Sequence, residues 1–260
     1  MFRLCRCHYR QYGVVRIRPG FREFFLAAGE ILFPPACLGC GAGLDGRREI
    51  SYCSACLGDV SFLRQPCCTV CGLPFEAAAG DSHLCGTCLV HPWHFTRARA
   101  AVRYQPPVSE AIKMFKYGGR MHGVKTLAAL SQQWLQEQPL PEPDLLLPVP
   151  LHVRRLRRRG FNQALVLCRQ IFPAWKEKIA ASLLERHVWT RPQTGLQGAA
   201  RRGNVRNSFR VRRPEKVRNK RILLVDDVFT TGATVNECAK TLAGNRAAEV
   251  TVFTLARALV

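Results

Sequence analysis

Two neighbouring carboxylates, Asp226 and Asp227, close an apolar run in "LLVDDVFTTGAT" (223–234) and are followed by Thr230, Thr231, Gly232, Ala233 and Thr234. The apolar run reads as a buried strand, and the residues after Gly232 read as a helix. The short loop between them offers free backbone N–H groups, hydroxyl donors and the positive end of a helix dipole, which together form a phosphate cradle. Gly232 permits a tight, close approach of the backbone. Carboxylates do not bind phosphate. They accept hydrogen bonds from sugar hydroxyls or hold a divalent cation. A helix cap needs only one Asp, so two acids before a threonine loop point to a phosphorylated ribose.

A second chemistry lies in the cysteines, eleven of whose 13 precede residue 90. Four Cys-x-x-Cys pairs, Cys37/Cys40, Cys53/Cys56, Cys68/Cys71 and Cys85/Cys88, are separated by 12, 11 and 13 residues. Each pair aims two thiolates at one ion, and two pairs complete a tetrahedron. Eight ligands can fill two structural zinc sites. Sequential pairing suits two zinc ribbons, and interleaved pairing stays open. Cys68, rather than its neighbour Cys67, keeps the spacing. His83 and His91 read as surface residues, Cys168 and Cys238 as core, and Cys5, Cys7 and His8 fit no pair.

These groups need a scaffold. Strand-like runs at 98–104, "DLLLPVPL", "RILLVDDV" and "EVTVFTLAR" alternate with helical patterns. The helical stretches are "PPVSEAIKMFKYGG", which ends at Gly118-Gly119, "MHGVKTLAALSQQWLQE", "FNQALVLCRQIF" and "GATVNECAKTLAGN". Val124, Leu127, Leu130 and Trp134 form one helical stripe. Strands separated by helices imply an α/β fold, a mainly parallel sheet with helices on both faces. Ligands bind such sheets beyond the carboxyl ends of the strands, which is where Asp226 and Asp227 fall if the strand turns after "ILLV". Residues 1–32 form a basic leader ending in a short apolar helix, 33–92 the Cys-rich module, and 96–260 the α/β domain. The leader reads either as disordered or as sequence upstream of the true start.

The chain carries 39 Lys and Arg against 18 acids, a formal charge of +21. That balance favours an anionic partner: nucleic acid, a phosphorylated small molecule or an acidic membrane surface. No run of 18 apolar residues is present, so no transmembrane helix is expected. The start lacks a signal-peptide core. A cytoplasmic location follows, where thiols stay reduced and many cysteines argue for metal. A membrane-surface helix at 21–33 is disfavoured, since its polar face offers only Arg22, Glu23 and Glu30 and not a Lys/Arg excess. Between 201 and 221 there are ten Lys or Arg and one acid. Arg206, Arg210, Arg212 and Arg213 are therefore the candidates for single-stranded nucleic-acid contact. Phe209 is either a stacking partner or a core anchor.

"LLVDDVFTTGAT" closely resembles the phosphoribosyl pyrophosphate motif of type I phosphoribosyltransferases. The resemblance implies their parallel core sheet, with Asp226 and Asp227 on the ribose hydroxyls and Thr230–Thr234 on the 5′-phosphate. It also implies Mg²⁺ bound with phosphoribosyl pyrophosphate. The basic stretch Arg154–Arg159, read as a strand-to-helix loop, would serve the pyrophosphate through Arg158, Arg159 and Gly160. A flexible loop at 190–211 would close over the site, with Gln193, Arg201 and Arg202 as catalytic candidates and Thr194 and Asn204 beside them.

With the Cys-rich module in front, "FKYGG", "PVPL", "RRGFNQA", "QTGL", "RRGN" and "VDDVFTTGAT" together resemble the ComF family. This includes competence proteins of DNA uptake and GntX-type proteins. The resemblance spans about residues 30–257. It implies a type I phosphoribosyltransferase-like sheet flanked by helices, preceded by a small zinc-ribbon module. Its implied role is in natural competence, with imported single-stranded DNA and proteins of the competence machinery as partners. The alternative is an active phosphoribosyltransferase of nucleotide metabolism with an unknown acceptor.

Overall fold

The computed structural model describes residues 35–46, 49–75, 80–117, 122–189 and 205–259. The leader with the helix expected at 21–33, Cys5, Cys7, His8, Gly118-Gly119 and the expected loop residues Gln193, Thr194, Arg201, Arg202 and Asn204 lie outside the described residues. In chain order the elements are α1 (Ser54–Gly58), α2 (Gly86–Val90), β1 (Arg97–Arg103), α3 (Val108–Tyr117), α4 (His122–Glu137), β2 (Leu145–Pro148), α5 (Val153–Arg159) and α6 (Gln163–Ile171). A 3-10 turn (Pro173–Lys178), β3 (Leu184–Arg186), β4 (Phe209–Val211), α7 (Pro214–Val217), β5 (Arg221–Phe229), α8 (Ala233–Gly244) and β6 (Glu249–Arg257) follow.

Four strands form a sheet in the order β1-β6-β5-β2, every neighbour parallel. β3 and β4 pair separately as an antiparallel hairpin. In β5 the side chains alternate between faces. Leu223 and Val225 join the core formed with α3, α4 and α6, while Ile222 and Leu224 join the core under α8 and the hairpin. The stripe Val124, Leu127, Leu130 and Trp134 is buried as its period requires. Cys168 and Cys238 lie fully inside the two cores.

The Cys-rich module is joined to the sheet. Residues 61–63 run antiparallel beside β1, with Leu63 N–H donating to Ala101 O at 2.9 Å and Arg103 N–H to Ser61 O at 2.8 Å. The indole N–H of Trp134 reaches Leu63 O at 2.5 Å. Cys37, Tyr52 and Val60 belong to the same core as α3 and α4.

Three expectations change. The strand read in "RILLVDDV" forms, but the backbone does not turn at the aspartates: β5 continues through Asp226 and Asp227 to Phe229. Residues 153–159, expected as a loop, form α5. His152 Nδ1 accepts from Arg154 N–H at 3.2 Å to start this helix, and Gly160 ends it at φ +82°, a left-handed geometry that glycine adopts without strain. The expected loop 190–211 also gives up its last three residues to β4.

Candidate ribose-phosphate site and metal centres

β2 pairs with β5 only as far as Pro148, opposite Val225. Beyond that point β5 overshoots its neighbour, and a cavity of about 480 Å³ opens at the carboxyl edge of the sheet. Both aspartates line it, although they sit on opposite faces of a continuing strand. The missing neighbour, rather than a turn in β5, lets them share one space. Thr234, at the start of α8, lines the same cavity. Thr230, Thr231 and Gly232 form the bend between β5 and α8, with Gly232 at φ +72° as the N-cap. Thr231 Oγ1 accepts from Ala233 N–H at 3.5 Å. The remaining first-turn N–H groups are the anion-binding end of the helix.

Arg155, Arg158 and Arg159 enter the cavity from α5, at i, i+3 and i+4, and Arg186 from β3. Lys116 enters from the last turn of α3, its Nζ 2.7 Å from Asp227 Oδ2. Five cations thus face two carboxylates. Burial and the Arg159 charge lower the Arg155 pKa, and burial and the Arg155 charge lower that of Arg186. The positive charge is therefore in excess and placed for an anion. Burial opposes the Lys116 ammonium, but Asp227 more than offsets it and the Lys116 pKa is raised. Burial, then the Asp227 charge, pushes Asp226 up to about 8.

The segment "RRGFNQA" holds this edge in place. Asn162 Oδ1 accepts from Ala164 N–H at 3.0 Å to cap α6, and its Nδ2 donates to Val149 O at 3.1 Å, tying the helix to the end of β2. Gln163 is buried, and its Oε1 accepts from the Arg159 guanidinium at 2.6 Å. Gly160 caps α5 and does not line the cavity. Sequence reasoning assigned no ligand role to Lys116, Tyr117, Gln163 or Arg186. Lys116 and Tyr117 lie in the "FKYGG" motif and carried that signal. Arg186 carried none.

Of the nucleic-acid candidates, Arg206 and Arg213 are exposed. Arg210 and Arg212 both pair with Glu185 across the hairpin. Phe209 is buried in the core.

The eight cysteines gather as two tetrads, Cys37, Cys40, Cys53 and Cys56, and Cys68, Cys71, Cys85 and Cys88. Pairing is sequential, and Cys67 stays outside. His83 and His91 are exposed. A tetrahedral zinc with Zn–S of about 2.3 Å sets its sulfurs about 3.8 Å apart. The Sγ separations are 3.8 Å for Cys40–Cys53, 3.6 Å for Cys68–Cys88 and 3.7 Å for Cys71–Cys85, so the donor sets fit the ion. Burial opposes the first thiolate of each tetrad, but N–H groups of Cys40, Cys53 and Gly39 bring Cys37 down to about 6, and those of Cys85, Cys71 and Val70 do the same for Cys68. Metal analysis of the purified chain is expected to return about two zinc ions, four ligands to each. One ion or none would contradict the two tetrads.

The double zinc ribbon domain family matches residues 28–89, and the phosphoribosyl transferase domain family matches residues 180–259. The chain is 38% identical to the DNA utilization protein YhgH of Escherichia coli O157:H7 over 74% of this chain and 84% of that protein. It is 31% identical to competence protein F of Haemophilus influenzae, over 85% and 96%. Among solved structures, an allosteric regulatory enzyme of purine biosynthesis aligns over 51% of this chain and 26% of its own, at 19% identity and TM-score 0.34. A hypoxanthine phosphoribosyltransferase of Trypanosoma cruzi aligns over 52% and 74%, at 16% identity and TM-score 0.29.

Proposed function

The chain belongs to the ComF family of competence proteins, and from that footing we propose that it binds phosphoribosyl pyrophosphate and handles single-stranded DNA in natural competence. The observation that carries the first half is one cavity holding adjacent carboxylates, a helix N-terminus and five cations. Asp226 and Asp227 accept from the ribose hydroxyls. The α8 N-terminus and Thr234 take the 5′-phosphate, and Arg155, Arg158, Arg159 and Lys116 the pyrophosphate. Paired carboxylates beside a phosphate site also suit Mg²⁺, which takes one or two carboxylates together with ligand oxygens. When bound, the ion neutralises pyrophosphate charge. Titration calorimetry with phosphoribosyl pyrophosphate and Mg²⁺ tests the assignment. A saturable heat is expected, and its absence from a zinc-loaded, folded protein overturns the reading.

The names of the relatives tie the family to competence and DNA use, and the charge of +21 suits a polyanion. Arg206, Arg210, Arg212 and Arg213 are the proposed phosphate-binding residues for a single strand in the cytoplasm. Arg213 is expected to contribute more than Arg212, which is already paired with Glu185. Replacing both by Glu should weaken binding alike across sequences. The salt slope should flatten by about 0.7 for each phosphate that is no longer neutralised. A sequence-dependent weakening, or none, moves the binding surface elsewhere.

A second reading, turnover, is favoured by one feature. The cavity adjoins a groove of about 730 Å³, sharing Pro150, Leu151 and Arg186 with it, which leaves room for an acceptor. A pyrophosphate-release screen across nucleobases tests it.

A further inference from the structure

The second cysteine tetrad is built against the bend that would receive the 5′-phosphate. Trp93 donates its indole N–H to Cys88 Sγ at 3.2 Å. The same ring stacks on Phe95 and meets Phe229 edge-on, with centroids 5.1 and 6.1 Å apart. It also closes over Gly232. A Cβ there would come within 2.9 Å of the Trp93 ring and 2.5 Å of Phe229 Cζ. Arg257 makes a second link. Its guanidinium donates to Cys71 O at 2.6 Å, lies 3.8 Å from Cys71 Sγ, and covers the Phe229 ring at 4.4 Å. A third link runs from His94 N–H to Asn236 Oδ1, in the first turn of α8, at 2.8 Å. Among the described residues the first tetrad makes no such link to the bend: Cys37 and Cys56 pack toward the α3 side, where a Cβ on Gly39 would meet Pro107 and Cys56.

We propose that Trp93 and Arg257 are positioning residues that couple the second zinc tetrad to the phosphate-binding bend, so that retention of this zinc and affinity for a 5′-phosphorylated ribose are linked. The inference rests on the ribose-phosphate reading above. Its physical basis is that Gly232 has space only for hydrogen between two rings, one hydrogen-bonded to a zinc ligand and the other capped by the arginine that holds the neighbouring ligand. When the four thiolates are gathered, both rings are fixed and the bend is shaped before the ligand arrives. When they separate, Trp93 loses its acceptor and Arg257 its anchor. Linkage is reciprocal, so a ligand that needs the shaped bend must also hold the metal.

The test is zinc release from the full chain to a chromogenic chelator, with and without phosphoribosyl pyrophosphate and Mg²⁺. Calorimetry on the same sample establishes first whether the ligand binds. No binding defeats the ribose-phosphate reading and, with it, the coupling. If the ligand binds, one of the two zinc ions should be held about 5–150-fold more tightly against the chelator at equilibrium, the usual span of coupling between sites, while the other is unchanged. Equal zinc affinities with and without bound ligand, or equal tightening of both ions, defeats the coupling alone. Trp93→Phe keeps a ring but loses the N–H. It should retain two zinc ions and bind ligand more weakly, with little ligand protection left. Arg257→Lys keeps the charge and should behave likewise. If both variants load two zinc ions and show wild-type affinity and protection, these residues do not carry the link. The Asp226→Asn, Asp227→Asn double variant, which should not bind, controls for zinc chelation by the ligand.

Discussion

Asp226→Asn and Asp227→Asn are each expected to weaken the proposed phosphoribosyl pyrophosphate binding at least tenfold, yet to move the melting temperature in opposite directions. The common effect follows from the loss of charge. A hydrogen bond to a charged group contributes about 1.5–3 kcal/mol, so each substitution should reduce affinity by about 10–150-fold, and together they should leave no measurable binding. The opposite effects follow from the neighbours. Asp227 holds the Lys116 ammonium at 2.7 Å. Asn leaves that half-buried cation without its counter-charge, at a cost of about 1–3 kcal/mol. Among the described residues Asp226 makes no such close ion pair: burial and the Asp227 charge, only partly opposed by Lys116, keep it protonated to about pH 8. Asn resembles that protonated form, so Asp226→Asn should melt above wild type, most visibly at pH 8. Had the aspartates been mere helix caps, Asn would serve about as well, and neither binding nor melting would change. Calorimetry and thermal melts on the two single variants decide it.

The sequence made the chemistry legible where residue type and spacing carry it directly. The eight cysteines announce their ions through regular pairs. The carboxylates and threonines lie within one nine-residue stretch, and the strands of the sheet are long apolar runs. What stayed hidden depends on geometry between distant segments. α5 shows no apolar stripe, because its exposed face carries Val153, Leu156 and outward arginines while its cavity face carries Arg155, Arg158 and Arg159. A helix that turns arginines toward a polar cavity and buries no residue need not carry an apolar stripe, so periodicity could not reveal it. Arg186 lies in a strand of three residues whose partner strand follows 23 positions later, too short and too distant for an alternation signal. The open edge beside Asp226 is created by the end of β2 at Pro148, a fact about β2 that no motif around Asp226 contains. The links from Trp93 and Arg257 to the zinc tetrad join three separate parts of the chain.

Ligand affinity should rise with pH up to about 8 and then level, because binding must expel the Asp226 proton. In the free protein burial and the Asp227 charge favour the neutral carboxyl, with a pKa of about 8. A carboxyl accepts from ribose hydroxyls, or contacts Mg²⁺, much more strongly when ionised. Below pH 8 binding therefore carries the work of deprotonation, and log K rises by at most one per pH unit. With a midpoint near 8, the gain from pH 7 to 8 is about fivefold. The second ionisation of a phosphate lies near 6, so the ligand contributes little in that window. Stability runs the other way. The folded-state pKa of Asp226 lies above its unfolded value, so between about pH 4 and 8 the unfolded chain binds fewer protons and stability falls as pH rises. Asp226→Asn should remove both slopes at once. Calorimetry at pH 7 in two buffers of different ionisation enthalpy should report close to one proton released per ligand bound. A flat affinity profile between pH 7 and 8, with no proton release, would mean that Asp226 is already ionised in the free site or takes no part in holding the ribose.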